Sequence, residues 1–169
     1  MKKMIFIMLA NFCFALSPND FSKLKEQDIK GSFTQTKSIV NFKKPIITSG
    51  DYEFKNNELF WNITKPIQSN TKINKDGIYN LIGNSWVKSE ARYDKSLFLS
   101  IIHLDFDALK NDFDIAIQGD ESSWYIFLQP KSYWIKKIFS SIKIKGAKKI
   151  ENIEINEQNG DISQIEFHE

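Results

Sequence analysis

Short segments of alternating polarity dominate the pattern of this 169-residue chain after Gly31. Such alternation is typical of strands with one buried face. Asn56-Asn57 and Gln158-Asn159-Gly160 separate neighbouring segments, as turn residues do in β-hairpins. The pattern predicts strands at residues 32–39, 46–54, 58–64, 68–74, 78–82, 86–87, 113–118, 123–129, 141–145, 149–155 and 162–167.

Two segments follow a helical pattern instead. Ser17 and Pro18 suit a helix start, and Gly31 suits its stop. Apolar residues recur at helical spacing over residues 94–111, with room for a break near Asp105. Residues 132–139 fit either a short helix or a twisted strand. We therefore expect a mainly β fold with helices (α+β), built as an antiparallel meander with one helical insertion.

The N-terminus has the pattern of a cleavable secretory signal. Lys2 and Lys3 precede an apolar run that ends at Ala15, where we expect cleavage. The run is too short to span a membrane, which takes about 20 apolar residues. Lipidation of Cys13 is disfavoured because Asn11 and Phe12 precede it in place of small residues. The expected organisation is a signal peptide at residues 1–15 and one exported domain at residues 16–169.

Composition excludes several classes of function. The chain has 23 basic and 21 acidic residues, and loss of the two signal lysines would leave equal numbers, which disfavours nucleic-acid binding. Cys13 is the only cysteine, so the mature domain has no thiol chemistry. The 14 Phe, five Tyr and four Trp indicate either a very aromatic core or apolar surface available for a ligand.

Candidate catalytic and metal sites are weak. His103, Asp105 and Asp107 are spaced so that only the outer two share a helix face, which favours a polar helix side over a metal site. The chain has two histidines and no G-x-S-x-G motif, so it offers few of the residues that form a hydrolase active site. We expect no enzyme activity, no metal and no cofactor. Lysines at 136–137 and 143–149 either face lipid head groups or an acidic partner, or protect sheet edges as a solvated face.

Several local patterns, in the same order along the chain, resemble the LolA family of outer-membrane lipoprotein carriers. They match the family's GxFxQ, GxLxF, FxW…P…DGxxxW, LxPK and GxxTxIxF segments. The matching segments are Gly31–Lys37, Ser49–Phe54, Leu59–Trp61 with Lys65-Pro66 and Asp76–Tyr79, Leu128–Lys131, and Asn159–Phe167.

This resemblance implies a periplasmic carrier with an incomplete antiparallel β-barrel. An N-terminal helix and a central helical lid would close a cavity for acyl chains of lipoproteins or related lipids. The helix over 97–109 suits such a lid, although periodicity alone favours an ordinary core helix. The expected lining is Phe33, Phe54, Phe60, Trp61, Ile73, Tyr79, Leu81, Trp86, Leu97, Phe98, Ile101, Ile102, Phe113, Ile115 and Ile117.

One departure from the family concerns the turn after the second strand. Family members have an arginine-proline there that takes part in lid opening, whereas this chain has Lys55 followed by Asn56-Asn57. Lys55 keeps the charge without the planar fork of donors, and is the candidate lid switch. The chain thus resembles the divergent LolA-like branch more closely, and this resemblance leaves open a lipid or lipid-linked molecule other than a lipoprotein as the cargo.

The resemblance also implies partners, namely an inner-membrane exporter and an outer-membrane acceptor, with the carrier itself a monomer. An alternative is a lipid-sensing module of the same fold that regulates a partner protein without transport. A structural subunit with no ligand is the least favoured alternative.

Overall fold

The computed structural model describes Phe21, residues 29–90 and residues 95–168, without the side chains of Lys95 and Ser96. The predicted signal peptide and most of the predicted N-terminal helix lie outside these residues. The strands are β1 (Ile29–Ser38), β2 (Ile46–Lys55), β3 (Glu58–Lys65), β4 (Ser69–Asn74), β5 (Gly77–Ile82), β6 (Ser85–Lys88), β7 (Phe113–Asp120), β8 (Ser123–Pro130), β9 (Phe139–Gly146), β10 (Ile150–Glu157) and β11 (Ile162–His168). The helices are α1 (Lys95–Ile102), α2 (Phe106–Leu109) and α3 (Tyr133–Lys136).

All eleven strands form one antiparallel sheet. Its order is β6-β5-β4-β3-β2-β1-β11-β10-β9-β8-β7, so that two meanders meet where the first strand pairs with the last. Phe33 lies opposite Phe167 in this central pair. The edges β6 and β7 are consecutive in the chain, and the segment carrying α1 and α2 connects them. The sheet is therefore not closed into a full barrel.

The predicted fold class is confirmed: the chain forms eleven strands, and the helical insertion lies between the sixth and the seventh. Asn56 and Asn57, with φ of 54° and 61°, form the predicted hairpin turn between β2 and β3. The helical insertion breaks where expected, because Leu104 has a φ of 50° and Asp105 caps α2 through the Ala108 amide. Residues 133–136 form a short helix, which decides between the two alternatives left open for that segment.

The expected helix stop at Gly31 is wrong. Ile29, Lys30 and Gly31 belong to β1, where Gly31 lies opposite Tyr52 of β2. A side chain at Gly31 would collide with the His168 carbonyl and approach the Tyr52 ring, so close strand packing explains this glycine. Phe21, from the first turn of the predicted N-terminal helix, is buried against Trp124, with the ring centroids 5.0 Å apart.

The sheet curves around one core. In a flat sheet β5 and β9 would be seven strand spacings apart, or about 34 Å. Ile78 of β5 and Ile142 of β9 nevertheless line the same cavity. Alternate residues on each strand point to this concave side, for example Leu59 and Trp61 on β3 and Ile153 on β10, and they form one buried cluster. The concave face of the sheet is thus the apolar face.

Candidate functional site

A cavity of about 380 Å³ lies in the concave side of the sheet. This volume falls within the range of about 300–1,000 Å³ that is common for small-molecule sites. Most of its lining is aliphatic or aromatic. The apolar lining residues are Trp61, Ile73, Ile78, Leu97, Phe98, Ile101, Ile135, Ile138, Phe139, Ile142, Ile155 and Ile165.

Helix α1 forms one wall of the cavity. Leu97, Phe98 and Ile101 lie on the face of the helix that lines it. Phe98 also packs edge-on against Trp61 of β3, with the ring centroids 5.7 Å apart. The helix therefore covers the cavity and contacts Trp61, which lines the cavity from the sheet.

The cavity has a polar end. Gln35, Lys37, Glu157 and Ser163 line it where β1, β10 and β11 approach the loops 39–45 and 158–161. The Lys37 ammonium donates to Glu157 Oε1 at 2.8 Å. A lining that is apolar over most of its area and charged at one end suits an amphiphile, with the chain inside and the polar group beside Lys37.

Five of the fifteen predicted lining residues line this cavity, namely Trp61, Ile73, Leu97, Phe98 and Ile101. Six others point to the same concave side but belong to the surrounding core. Phe33 stacks beneath Trp61, Phe54 packs against the His103 ring, and Ile102 borders a separate small cavity beside Tyr52. Phe113 is buried, and Ile115 and Ile117 are half-buried along the edge strand β7.

The remaining four predicted residues, Phe60, Tyr79, Leu81 and Trp86, lie on the convex face, opposite the cavity. The register requires this, because Leu59 and Trp61 point inward and Phe60 between them must point outward. Lys72 lies between two of these rings, with its ammonium 5.4 Å from the Tyr79 and Trp86 centroids. Apolar residues occupy both faces of β3, β5 and β6, so the sequence pattern does not show which face lines the cavity.

Comparisons with known proteins add little to this geometry. No family model and no curated protein matches the chain. Among solved structures, the chain is similar to LprF from Mycobacterium bovis at 14% identity, over 91% of this chain and 93% of that chain. The TM-score is 0.38, too low to support a conclusion.

The residues that the sequence did not single out come mainly from the C-terminal half of the sheet. Ile142, Ile155 and Ile165 line the cavity from β9, β10 and β11. Each occupies an inward position of an alternating strand, and this was the signal available in the sequence. Lys37 and Glu157 lie 120 residues apart, so that only the pairing of β11 with both β1 and β10 brings them together.

Lys55, the candidate lid switch, lies away from this cavity. It is exposed in the last residue of β2, beside the Asn56-Asn57 turn, whereas the polar end of the cavity is near the start of β2. The cavity lining does not include Lys55. A role of Lys55 in opening the cavity stays a prediction.

The candidate metal triad has other contacts. The His103 ring packs against Phe54, Asp105 caps α2, and Asp107 pairs with Lys110 at 2.7 Å. Over residues 29–90 and 95–168 with Phe21, no group of three metal-ligating side chains is present. In that same part of the chain, no helix has the length and apolarity required to cross a membrane.

Proposed function

We propose that the protein binds an acyl chain of a lipoprotein, or of a related lipid, in the concave cavity and carries it between membranes. The observation that carries this proposal is the amphipathic lining, which is apolar from Trp61 to Ile165 and ends at the Lys37–Glu157 pair. The resemblance of the sequence to LolA carriers supports the same function. In this proposal the protein acts in the periplasm, as a monomer and without catalysis.

The energetics of a carrier agree with a cavity of this kind. Burial of one methylene is worth about 0.8 kcal/mol, so that a chain of roughly 14 carbons gains on the order of 10 kcal/mol relative to water. A bilayer offers nearly the same gain, and a carrier must therefore bind with little preference over the membrane. A cavity that is partly bounded by the short helices α1 and α3, rather than closed on all sides by the sheet, suits binding and release.

The experiment has two stages. Protein purified under native conditions is first extracted and analysed by mass spectrometry for bound lipids or lipopeptides. It is then incubated with inner-membrane vesicles, separated from them, and mixed with outer-membrane vesicles. The proposal expects cargo to be taken up from the first vesicles and delivered to the second.

Two outcomes would contradict the carrier proposal. A protein that carries nothing after purification and extracts nothing from vesicles does not bind lipid. Uptake of cargo without delivery to any acceptor would instead point to a lipid-sensing module that acts on a partner protein.

A further inference from the structure

The exposed hydrophobic side chains of the described residues are concentrated at one end of the sheet. Phe42 and Ile47 lie in or beside the β1–β2 loop, Ile67 in the β3–β4 loop, Ile82 at the β5–β6 turn, and Tyr133 and Trp134 on α3. Four of these are largely exposed: Ile67 at 79%, Trp134 at 71%, Phe42 at 70% and Tyr133 at 66%. We call this set, with the lysines of the same loops, the mouth surface.

The strand register places these separate loops at the same end. Ile47 pairs with Thr36 near the end of β1, and Ser49 pairs with Lys65 at the end of β3, next to the loop that holds Ile67. Phe139, directly after the α3 segment, pairs with Glu157. This is also the end at which Lys37 and Glu157 line the cavity. The mouth surface therefore surrounds the polar end of the cavity.

The opposite end of the sheet is different. Its turns consist of Asn56-Asn57, Lys75-Asp76, Glu121-Ser122 and Ala147–Lys149. Within the described part of the chain, none of these turns has an exposed large hydrophobic side chain. The fold itself therefore does not require exposed apolar side chains in its turns, because polar residues close the hairpins at this end. The apolar side chains at the mouth end need another explanation.

Lysines accompany the exposed aromatic rings. On α3 the Lys137 ammonium lies 4.3 Å from the Tyr133 ring centroid and 5.1 Å from that of Trp134. Exposed Lys43 and Lys44 follow Phe42 directly. Neither the 39–45 loop nor the 131–138 segment contains an acidic residue. The mouth surface is thus apolar and positively charged.

We propose that the mouth surface docks the protein on a bilayer that contains anionic lipids. Tyr and Trp rings suit the level of the head groups, and lysines beside them keep their charge at the surface while their stems contact apolar groups. Anionic head groups supply the complementary charge. Docking in this orientation directs the polar end of the cavity toward the membrane. That this orientation helps the protein to take up an acyl chain rests on the proposed function. Docking itself does not require a cargo.

The test is sedimentation of the protein with vesicles of phosphatidylcholine alone and with added phosphatidylglycerol. We expect binding to the mixed vesicles, little to the neutral ones, and weaker binding at higher salt. Trp134→Ser, and separately the pair Lys43→Glu with Lys44→Glu, should each weaken binding about tenfold. The matched controls are Trp86→Ser on the convex face, and Lys75→Glu with Lys148→Glu in the distant turns. Both should bind as the unaltered protein does.

Three results would overturn docking: no preference for anionic vesicles, equal losses in the mouth variants and their controls, or a mouth surface that mediates self-association instead. Sedimentation velocity detects the last as a dimer that Trp134→Ser abolishes. A cavity variant, Ile155→Trp, separates this proposal from the proposed function. It should still dock on vesicles, so that loss of acyl-chain binding and loss of docking are independent results.

Discussion

The indole of Trp61 lies almost flat on the ring of Phe33, with the ring centroids 3.7 Å apart and the planes 27° from parallel. Phe33 is buried in the core, whereas Trp61 lines the cavity. Tyr52 and Phe167 approach the same indole from β2 and β11, at centroid distances of 6.3 and 6.2 Å. The position of the cavity wall is therefore set by core packing across the central strands.

Removal of the Phe33 ring should destabilise the fold and loosen this wall. We expect Phe33→Ala to lower the free energy of unfolding by about 3–5 kcal/mol, because a buried ring is replaced by a void. Urea unfolding followed by circular dichroism measures the change. Phe42→Ala, at an exposed position, is the matched control and should change stability by no more than about 0.5 kcal/mol. Equal effects of the two substitutions would refute this packing role.

Partial filling of the cavity should reduce binding without unfolding the protein. Ile155 is half-buried and lines the cavity from β10, so Ile155→Trp adds volume where space exists. We expect the affinity for a fluorescent fatty acid to fall at least about tenfold, with little change in thermal stability. Ile162→Trp, on the outward side of β11, should leave the affinity unchanged. A filled cavity that binds as tightly as before would show that the fatty acid binds elsewhere.

Gly50 should tolerate no side chain. It lies at an irregularity in the pairing of β2 with β3, where a Cβ atom would collide with the Asn62 carbonyl oxygen. The carbonyl oxygen belongs to the backbone and the Cβ atom is bonded directly to it, so neither can turn away and the strands would have to move apart. We expect Gly50→Ala to lower the free energy of unfolding by about 2 kcal/mol or more, whereas Ser49→Ala should change it little. Chemical denaturation of both variants measures the difference.

Glu154 should contribute to stability only above acidic pH. Hydrogen bonds from Asn156, and then from Lys143, hold the pKa of this carboxyl below its usual value of 4.5. A carboxyl with a lowered folded-state pKa stabilises the fold above the ordinary value, and the contribution is lost as the pH falls through the lowered value. The stability difference between the unaltered protein and Glu154→Gln should therefore be present at pH 7 and disappear in acid.

The size of the Glu154 contribution should be small. Its side chain is about a quarter exposed and the paired Lys143 about half, so we expect less than about 1 kcal/mol. Unfolding experiments across the acid range measure it. A difference that grows as the pH falls would contradict the assigned hydrogen bonds.

Much of the fold could be predicted from local pattern. Alternation and turn residues such as Asn56-Asn57 gave the strands, and the helical period over residues 94–111 gave the insertion. The pairing of β1 with β11 could not be derived in this way, because it joins the two ends of the domain. Gly31 was misread as a helix stop since a glycine between two closely packed strands has the same sequence signal.

The candidate site was harder to predict than the fold. The structure brings Trp61 and Ile73 to the cavity but puts Phe60 and Trp86 on the convex face, because apolar residues occupy both faces of their strands. The polar end was missed altogether. A lysine in a strand usually faces solvent, and only the pairing of β1 with β11 and of β11 with β10 brings Lys37 beside Glu157.

The central claim, that an acyl chain occupies the concave cavity, is tested most directly by quenching of Trp61 fluorescence. A long-chain fatty acid brominated near mid-chain is titrated into the protein, with the unbrominated acid as control. We predict saturable quenching by the brominated acid alone, and loss of most of it in Trp61→Phe, because Trp61 is the one of the four tryptophans that lines the cavity. Absence of quenching, or quenching that persists without Trp61, would contradict binding in this cavity.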